Sequence, residues 1–158
     1  MSFLFKKAAI GGTFDILHKG HERLFREAFM VAEKVLIGIT SDTLVTRLNK
    51  SHKVSSFDRR LIQVKNLLSK RGWIKRSIIV RIDDPYGPSV TDPELEVIIV
   101  SEETLPRAFE INELRVLNGL RPLAIGVVQM VLAENGKPIS ATRIRKGEID
   151  RNGRLLIV

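Results

Sequence analysis

Short, nearly continuous apolar runs alternate along this chain with longer amphipathic stretches. No other feature constrains the fold as strongly. The runs Lys7–Ile10, Val35–Thr40, Ser77–Ile82, Glu96–Val100 and Leu123–Val128 read as strands. They are apolar at consecutive positions, as parallel strands covered on both faces are. Helical spacing fills the intervals. A first helix is expected from Lys19–His21 to about Glu33, with Leu24, Phe25, Ala28, Phe29 and Ala32 on one face. A second is expected from Phe57 to Arg71, capped by Ser56, striped by Phe57, Leu61, Val64 and Leu68, and stopped by Gly72. A third runs from about Pro106 to Asn118 and ends at Gly119, and a short fourth runs from Ser140 to about Gly147. The order predicts a doubly wound, Rossmann-like α/β fold: a five-stranded parallel sheet with helices on both faces. Ligands of such sheets bind at the carboxyl ends of the strands, where the strand order reverses.

With 158 residues and no internal repeat or linker, the chain reads as a single domain over 1–158. It has no cysteine, which excludes disulfides and thiolate chemistry. The apolar stretch Leu123–Ala133 is interrupted by Gln129 and is too short to span a bilayer. The opening MSFLFKK has its charges after the apolar residues, the wrong order for a signal peptide. A soluble cytoplasmic protein is expected. The net charge of +8 points to an anionic partner without choosing among nucleic acid, a membrane surface and a phosphorylated ligand.

Gly11 to His21 is the most informative segment, since it joins the first strand to the first helix at the predicted ligand edge. Gly11 and Gly12 permit a tight turn and close approach to a ligand, and Gly20 opens a helix whose free N–H groups favour an anion. His18 and His21 stand at that point and can donate to phosphate oxygens. Two histidines three apart are often plain surface residues, and a metal site is weakly supported with His52 as the one other histidine. Taken together, the glycines, Thr13 and the histidines favour phosphate binding. A second candidate anion site begins at Ser140, an N-cap followed by Thr142, Arg143 and Arg145. On its own this would read as a solvated basic helix.

Gly12-Thr13-Phe14-Asp15 followed by His18-Lys19-Gly20-His21 resembles the GTFD-x-x-H-x-G-H pattern of the nucleotidyltransferase superfamily. Ile139-Ser140-Ala141-Thr142-Arg143-Ile144-Arg145 resembles the ISSTxxR motif of the same group, with Ala141 in place of the second serine. Val100-Ser101-Glu102-Glu103-Thr104, with Ala108, Ile111-Asn112, Arg115 and Gly119-Leu120, resembles phosphopantetheine adenylyltransferases of the archaeal and eukaryotic type. So does Asp83-Asp84-Pro85-Tyr86-Gly87-Pro88, which physically reads as a turn-rich loop. Glu102 and Glu103 depart from the basic residue of the bacterial enzymes.

The resemblance implies adenylyl transfer from ATP to 4′-phosphopantetheine, giving dephospho-coenzyme A and pyrophosphate. It implies in-line attack without a covalent intermediate, and Mg²⁺ held mainly through the ATP phosphates. By this carry-over His18 is a transition-state donor at the α-phosphate, and His21 meets the same phosphates or orients His18. Gly12, Thr13, the Phe14 N–H, Gly20 and Ser101 belong to the ATP site, and Thr13 also serves the acceptor. Ser140, Thr142 and Arg143 are expected on the β- and γ-phosphates. Lys53 is expected on the acceptor phosphate with Lys50 in reserve, and Arg59 or Arg60 in support. Asp15 either meets the metal or fixes the loop through backbone hydrogen bonds, and Trp73 and Phe109 are taken as packing residues. Rival readings are a nicotinamide mononucleotide adenylyltransferase, a glycerol-3-phosphate cytidylyltransferase or an archaeal FAD synthetase. A basic nucleic-acid-binding module is the rival of another class. No basic-aromatic interleaving supports that module, so neither nucleic acid nor membrane is an expected partner.

Overall fold

The computed structural model describes residues 2–48 and 53–156. Five parallel strands form one sheet in the order β3-β2-β1-β4-β5. They are β1 (Phe5–Gly12), β2 (Ala32–Thr40), β3 (Ser77–Ile82), β4 (Val97–Ser101) and β5 (Ala124–Val128). The helices are α1 (Lys19–Val31), α2 (Asp42–Arg47), α3 (Phe57–Lys70), α4 (Leu105–Leu117) and α5 (Ala141–Arg145). The chain steps outward from β1 to β2 and β3, then returns to the other side of β1 with β4 and β5. The order therefore reverses between β1 and β4, and the crevice at their carboxyl ends is where a ligand is expected.

Alternation along the strands divides the core. Ala8, Ile10, Val35 and Ile37 face a cluster with Phe25, Phe29, Val64 and Leu68 from α1 and α3. Ala9, Leu36 and Ile98 face the opposite cluster with Ala108 and Ile111 from α4. Both faces are covered at the centre of the sheet, as the apolar runs predict. The outer strands β3 and β5 are only partly buried, because each lacks a neighbour on one side.

Local signals explain most boundaries. Ser41 and Ser56 cap α2 and α3 through their hydroxyls, and Gly72 and Gly119 follow α3 and α4 with φ of 75° and 77°. Two expectations are corrected. The first helix ends at Val31 rather than Glu33, because Ala32 turns extended and pairs with Phe5 across β1 and β2. Trp73 is a packing residue, stacked on Phe29 at 4.8 Å, but Phe109 is 55% exposed on α4, uncovered by any facing element among the described residues.

Beyond β5 the chain builds a small lobe around Ala133, Ile139 and Ile149. Two isolated bridges, Leu132 with Pro138 and Ile149 with Leu155, close its turns. The Lys19 N–H donates to the Arg151 carbonyl at 3.2 Å, which fastens this lobe to the start of α1. Among the described residues, no helix is long and apolar enough to cross a membrane.

Candidate active site

The loop between β1 and α1 is held in one shape from several sides. Phe14 has a φ of 53°, a left-handed backbone that costs a non-glycine residue on the order of 1 kcal/mol. Burial of its ring offsets that cost. The ring is 2% exposed and packs on Phe25 at 5.3 Å and edge-on to His21 at 5.4 Å. A Cβ at Gly12 would come within 3.0 Å of the same ring, so glycine leaves room for it.

His18 caps α1. Its Nδ1 accepts from the Gly20 N–H at 3.0 Å, and the His18 N–H donates to His21 Nδ1 at 3.3 Å. The two side chains thus close a reciprocal capping box, and the rings stack at 3.9 Å. Burial pushes the His18 imidazole down to about 4. Burial, reinforced by the neighbouring His18, takes His21 down to about 3, against a hydrogen bond with the Ile16 backbone. Both rings are neutral at physiological pH. With Nδ1 accepting, the proton of His18 resides on Nε2. His21 has its nitrogens engaged within its own loop, with the His18 N–H and the Ile16 backbone.

Asp15 fixes the loop rather than standing free for a metal. It is 8% exposed, Oδ1 accepts from the Ser55 N–H at 2.8 Å, and Oδ2 pairs with the Arg145 guanidinium. Burial raises its pKa, but Arg145 and Ser55 outweigh that and hold the carboxyl below its ordinary value. These contacts join three segments: the β1–α1 loop, the stretch before α3, and α5. Among the described residues, no three His, Asp or Glu side chains gather to hold a metal ion.

Other expected residues fall as follows. Ser101 ends β4, the strand beside β1, with its hydroxyl 3.1 Å from that of Thr104. Lys53 is exposed, two residues before the Ser55 that binds Asp15. Lys50 lies outside the described residues. Arg59 is exposed on the first turn of α3. Ser140 caps α5 by accepting from the Arg143 N–H at 3.2 Å, and Thr142 is exposed on that helix.

Arg143 is held inside the C-terminal lobe by Glu148 at 3.0 Å and by the carbonyls of Lys137 and Pro138. The guanidinium that meets the β1–α1 loop is that of Arg145. From the sequence, Arg145 is expected in the anion site but the phosphate role is expected of Arg143, although ISSTxxR counted from Ile139 sets the arginine at position 145. Arg60, expected with Arg59 only as support for the acceptor phosphate, is fully buried beneath the loop, whereas Arg59 is exposed.

Comparison with known proteins identifies the family. A cytidylyltransferase-like family model matches residues 9–147. A phosphopantetheine adenylyltransferase of Methanosarcina mazei is 46% identical over 152 residues, covering 94% of this chain and 96% of that protein. One from Pyrobaculum aerophilum is 41% identical over 146 residues, covering 92% and 94%. A solved structure of a protein of unknown function from Archaeoglobus fulgidus superposes with a TM-score of 0.68 at 34% identity, covering 78% of this chain and 89% of that one. On the family match and on relatives alike over nearly their whole length, the chain belongs to the cytidylyltransferase-like family, among its phosphopantetheine adenylyltransferases.

Proposed function

We propose that this chain transfers the adenylyl group of ATP to 4′-phosphopantetheine, releasing pyrophosphate and forming dephospho-coenzyme A. The substrates follow from the relatives named above, which match this chain nearly end to end. The observation that carries the chemistry is a neutral His18 with Nδ1 committed to the Gly20 N–H, so that Nε2–H is the ring's free donor. It stands at a helix N-terminus beside the reversal point of the sheet.

The reaction asks little of acid-base chemistry. A phosphate monoester is already anionic at neutral pH, so the acceptor attacks the α-phosphorus in line without a general base. Two anions must be brought together while charge grows on the α-phosphate, so positioning and preorganised donors supply the rate. His18 Nε2–H donates to the α-phosphate and His21 keeps its ring in place. Gly12, Gly20, the Phe14 N–H and the Thr13 hydroxyl line the phosphate path, and Ser101 bounds the nucleotide from β4. Lys53, with Lys50 and Arg59 near it in sequence, neutralises the acceptor phosphate. Ser140, Thr142 and a guanidinium of α5, Arg143 or Arg145, hold the β- and γ-phosphates. Mg²⁺ bound with the nucleotide substrate would screen the triphosphate charge and would need few protein ligands. This agrees with an Asp15 whose oxygens are both engaged.

Pyrophosphate release with MgATP tests the reading across 4′-phosphopantetheine, nicotinamide mononucleotide, FMN and glycerol 3-phosphate, the last also with CTP. Release with phosphopantetheine alone, lost in His18→Ala, is expected. Release with another acceptor would keep the chemistry and replace the substrate. No release, together with salt-sensitive binding of nucleic acid, would replace the enzyme with a binding module.

A further inference from the structure

Arg60 lies fully buried under the β1–α1 loop. Its Nη1 meets the Thr13 carbonyl at 2.9 Å, the Thr40 carbonyl at 2.8 Å and the Thr40 hydroxyl at 3.2 Å. Nε donates to the Ser55 carbonyl at 2.9 Å, and Nη2 to the Asp42 carboxylate at 3.0 Å. The Thr40 hydroxyl in turn donates to the Thr13 hydroxyl at 3.1 Å.

Direction is the informative part of this chain of contacts. A guanidinium can only donate. Nη1 has two protons for three acceptors, so the one aimed at the Thr40 carbonyl is shared with the Thr40 hydroxyl oxygen, which accepts from Arg60 and donates its single proton to Thr13. The Thr13 oxygen accepts at that point, so its own proton must be directed elsewhere. Thr13 sits in the loop that opens on the crevice, and an anionic phosphate oxygen can only accept. We propose that Arg60 and Thr40 form a one-way hydrogen-bond relay that makes the Thr13 hydroxyl an obligate donor to a substrate phosphate oxygen. The inference rests on the assignment of Thr13 to the phosphates made above.

Such a relay serves catalysis in two ways. It removes the rotamer in which Thr13 would turn its proton into the protein, so the donor is set before substrate arrives. It also couples the hydroxyl to a buried positive charge, and hydrogen bonds in series polarise one another. The acid paired with Arg60 does not cancel that charge, since the Asp42 side chain is 63% exposed and screened by solvent. Arg60 and Thr40 are thus positioning residues that act through Thr13.

Steady-state kinetics of the whole protein with MgATP and 4′-phosphopantetheine test the relay in Thr40→Val, Thr40→Ser, Thr13→Val and the Thr13→Val/Thr40→Val double variant. Valine keeps the buried shape, and the two Nη1 protons retain two carbonyl acceptors. Thr40→Ala replaces it should the valine variant melt early. Thr40→Val is expected to lower kcat/KM about tenfold, the effect of roughly one lost hydrogen bond. Thr40→Ser should restore it to within about twofold of wild type, and the double variant should be no worse than Thr13→Val alone. A change in the KM of ATP or of the acceptor identifies which phosphate Thr13 meets. A Thr40→Val rate near wild type beside an impaired Thr13→Val overturns the relay and keeps the Thr13 assignment. Losses that multiply in the double variant also overturn it. A Thr13→Val enzyme with wild-type kinetics overturns the assignment and the relay with it.

Discussion

His18 accepts the Gly20 N–H on Nδ1 at 3.0 Å, and that one contact sets both the start of α1 and the tautomer of the ring. In the proposed reaction the fold and the chemistry draw on the same imidazole, and substitutions separate the two uses. His18→Ala removes both. It should lose about 1 kcal/mol of stability, as lost caps do, and at least about a hundredfold in kcat, as lost oxyanion donors do. Asparagine caps helices well. His18→Asn should therefore melt near wild type and remain catalytically poor. A His18→Asn enzyme with nearly full kcat would remove the ring from the chemistry.

Gly20→Ala probes the same contact from the other side. A Cβ there would lie 2.8 Å from His18 Cε1, so the ring must move. Alanine improves helix propensity by about 1 kcal/mol, while a disturbed cap costs about as much. The melting temperature should stay within a few degrees of wild type while kcat falls about tenfold or more. Unchanged kcat would mean that the position of the ring does not matter.

Local signals made the frame of this protein legible. Serine caps, Gly72 and Gly119 act within a few residues, and apolar runs report burial directly. The centre of the site is harder to read, because its contacts join distant segments. Asp15 and Arg145 are 130 residues apart, and nothing near either one announces the pair. Arg60 lies three and four residues from Phe57 and Val64 of the apolar stripe, but the carbonyls of Thr13 and Thr40 that explain a buried charge there come from distant segments. Phe109 misleads in the opposite sense, since an apolar side chain on α4 needs a facing element to be buried, and among the described residues none covers it. Arg143 and Arg145 differ by one short step along a basic helix; the spacing of the motif favours Arg145, and the contact of its guanidinium with Asp15 separates the two in the structure.

Acid sensitivity follows from the buried histidines. His18 is depressed to about 4 and His21 to about 3, whereas an unfolded histidine titrates near 6.5. Below about pH 6.5 the unfolded chain binds more protons than the folded one, so stability falls as the pH drops toward 4. Above about pH 7 these groups contribute no slope. Asp15, held below its ordinary value, adds its own loss at lower pH as it protonates. Urea midpoints should be flat from pH 8 to 7 and decline from 6.5 to 5, less steeply in His18→Asn. A midpoint independent of pH down to 5 would contradict the buried neutral pair.

The Asp15–Arg145 pair ties the C-terminal lobe to the loop that carries His18, so its removal should loosen that lobe before the sheet. Asp15→Asn keeps an acceptor but removes the charge, and a hydrogen bond to a charged group is worth about 1.5–3 kcal/mol. Hydrogen exchange should quicken across residues 131–156 and in the first turn of α1, where Lys19 binds Arg151, and stay slow in β1, β2 and β4. Uniform quickening through the sheet would make the pair a global stabiliser rather than a latch.

The two arginines of α5 make the last discrimination. Arg143 is committed to Glu148 and two carbonyls of its own lobe, whereas Arg145 reaches the β1–α1 loop, the proposed phosphate site, through Asp15. A triphosphate entering that loop competes with Asp15 for the Arg145 guanidinium, and a polyphosphate is the stronger bidentate partner. Arg145→Ala should therefore raise the KM of ATP about tenfold or more with little change in that of the acceptor. Arg143→Ala should act mainly by loosening the lobe, lowering its melting temperature, with a smaller effect on KM. Should Arg143→Ala carry the larger KM effect, its bond to Glu148 must break when nucleotide binds. Glu148→Gln would then strengthen ATP binding instead of leaving it unchanged.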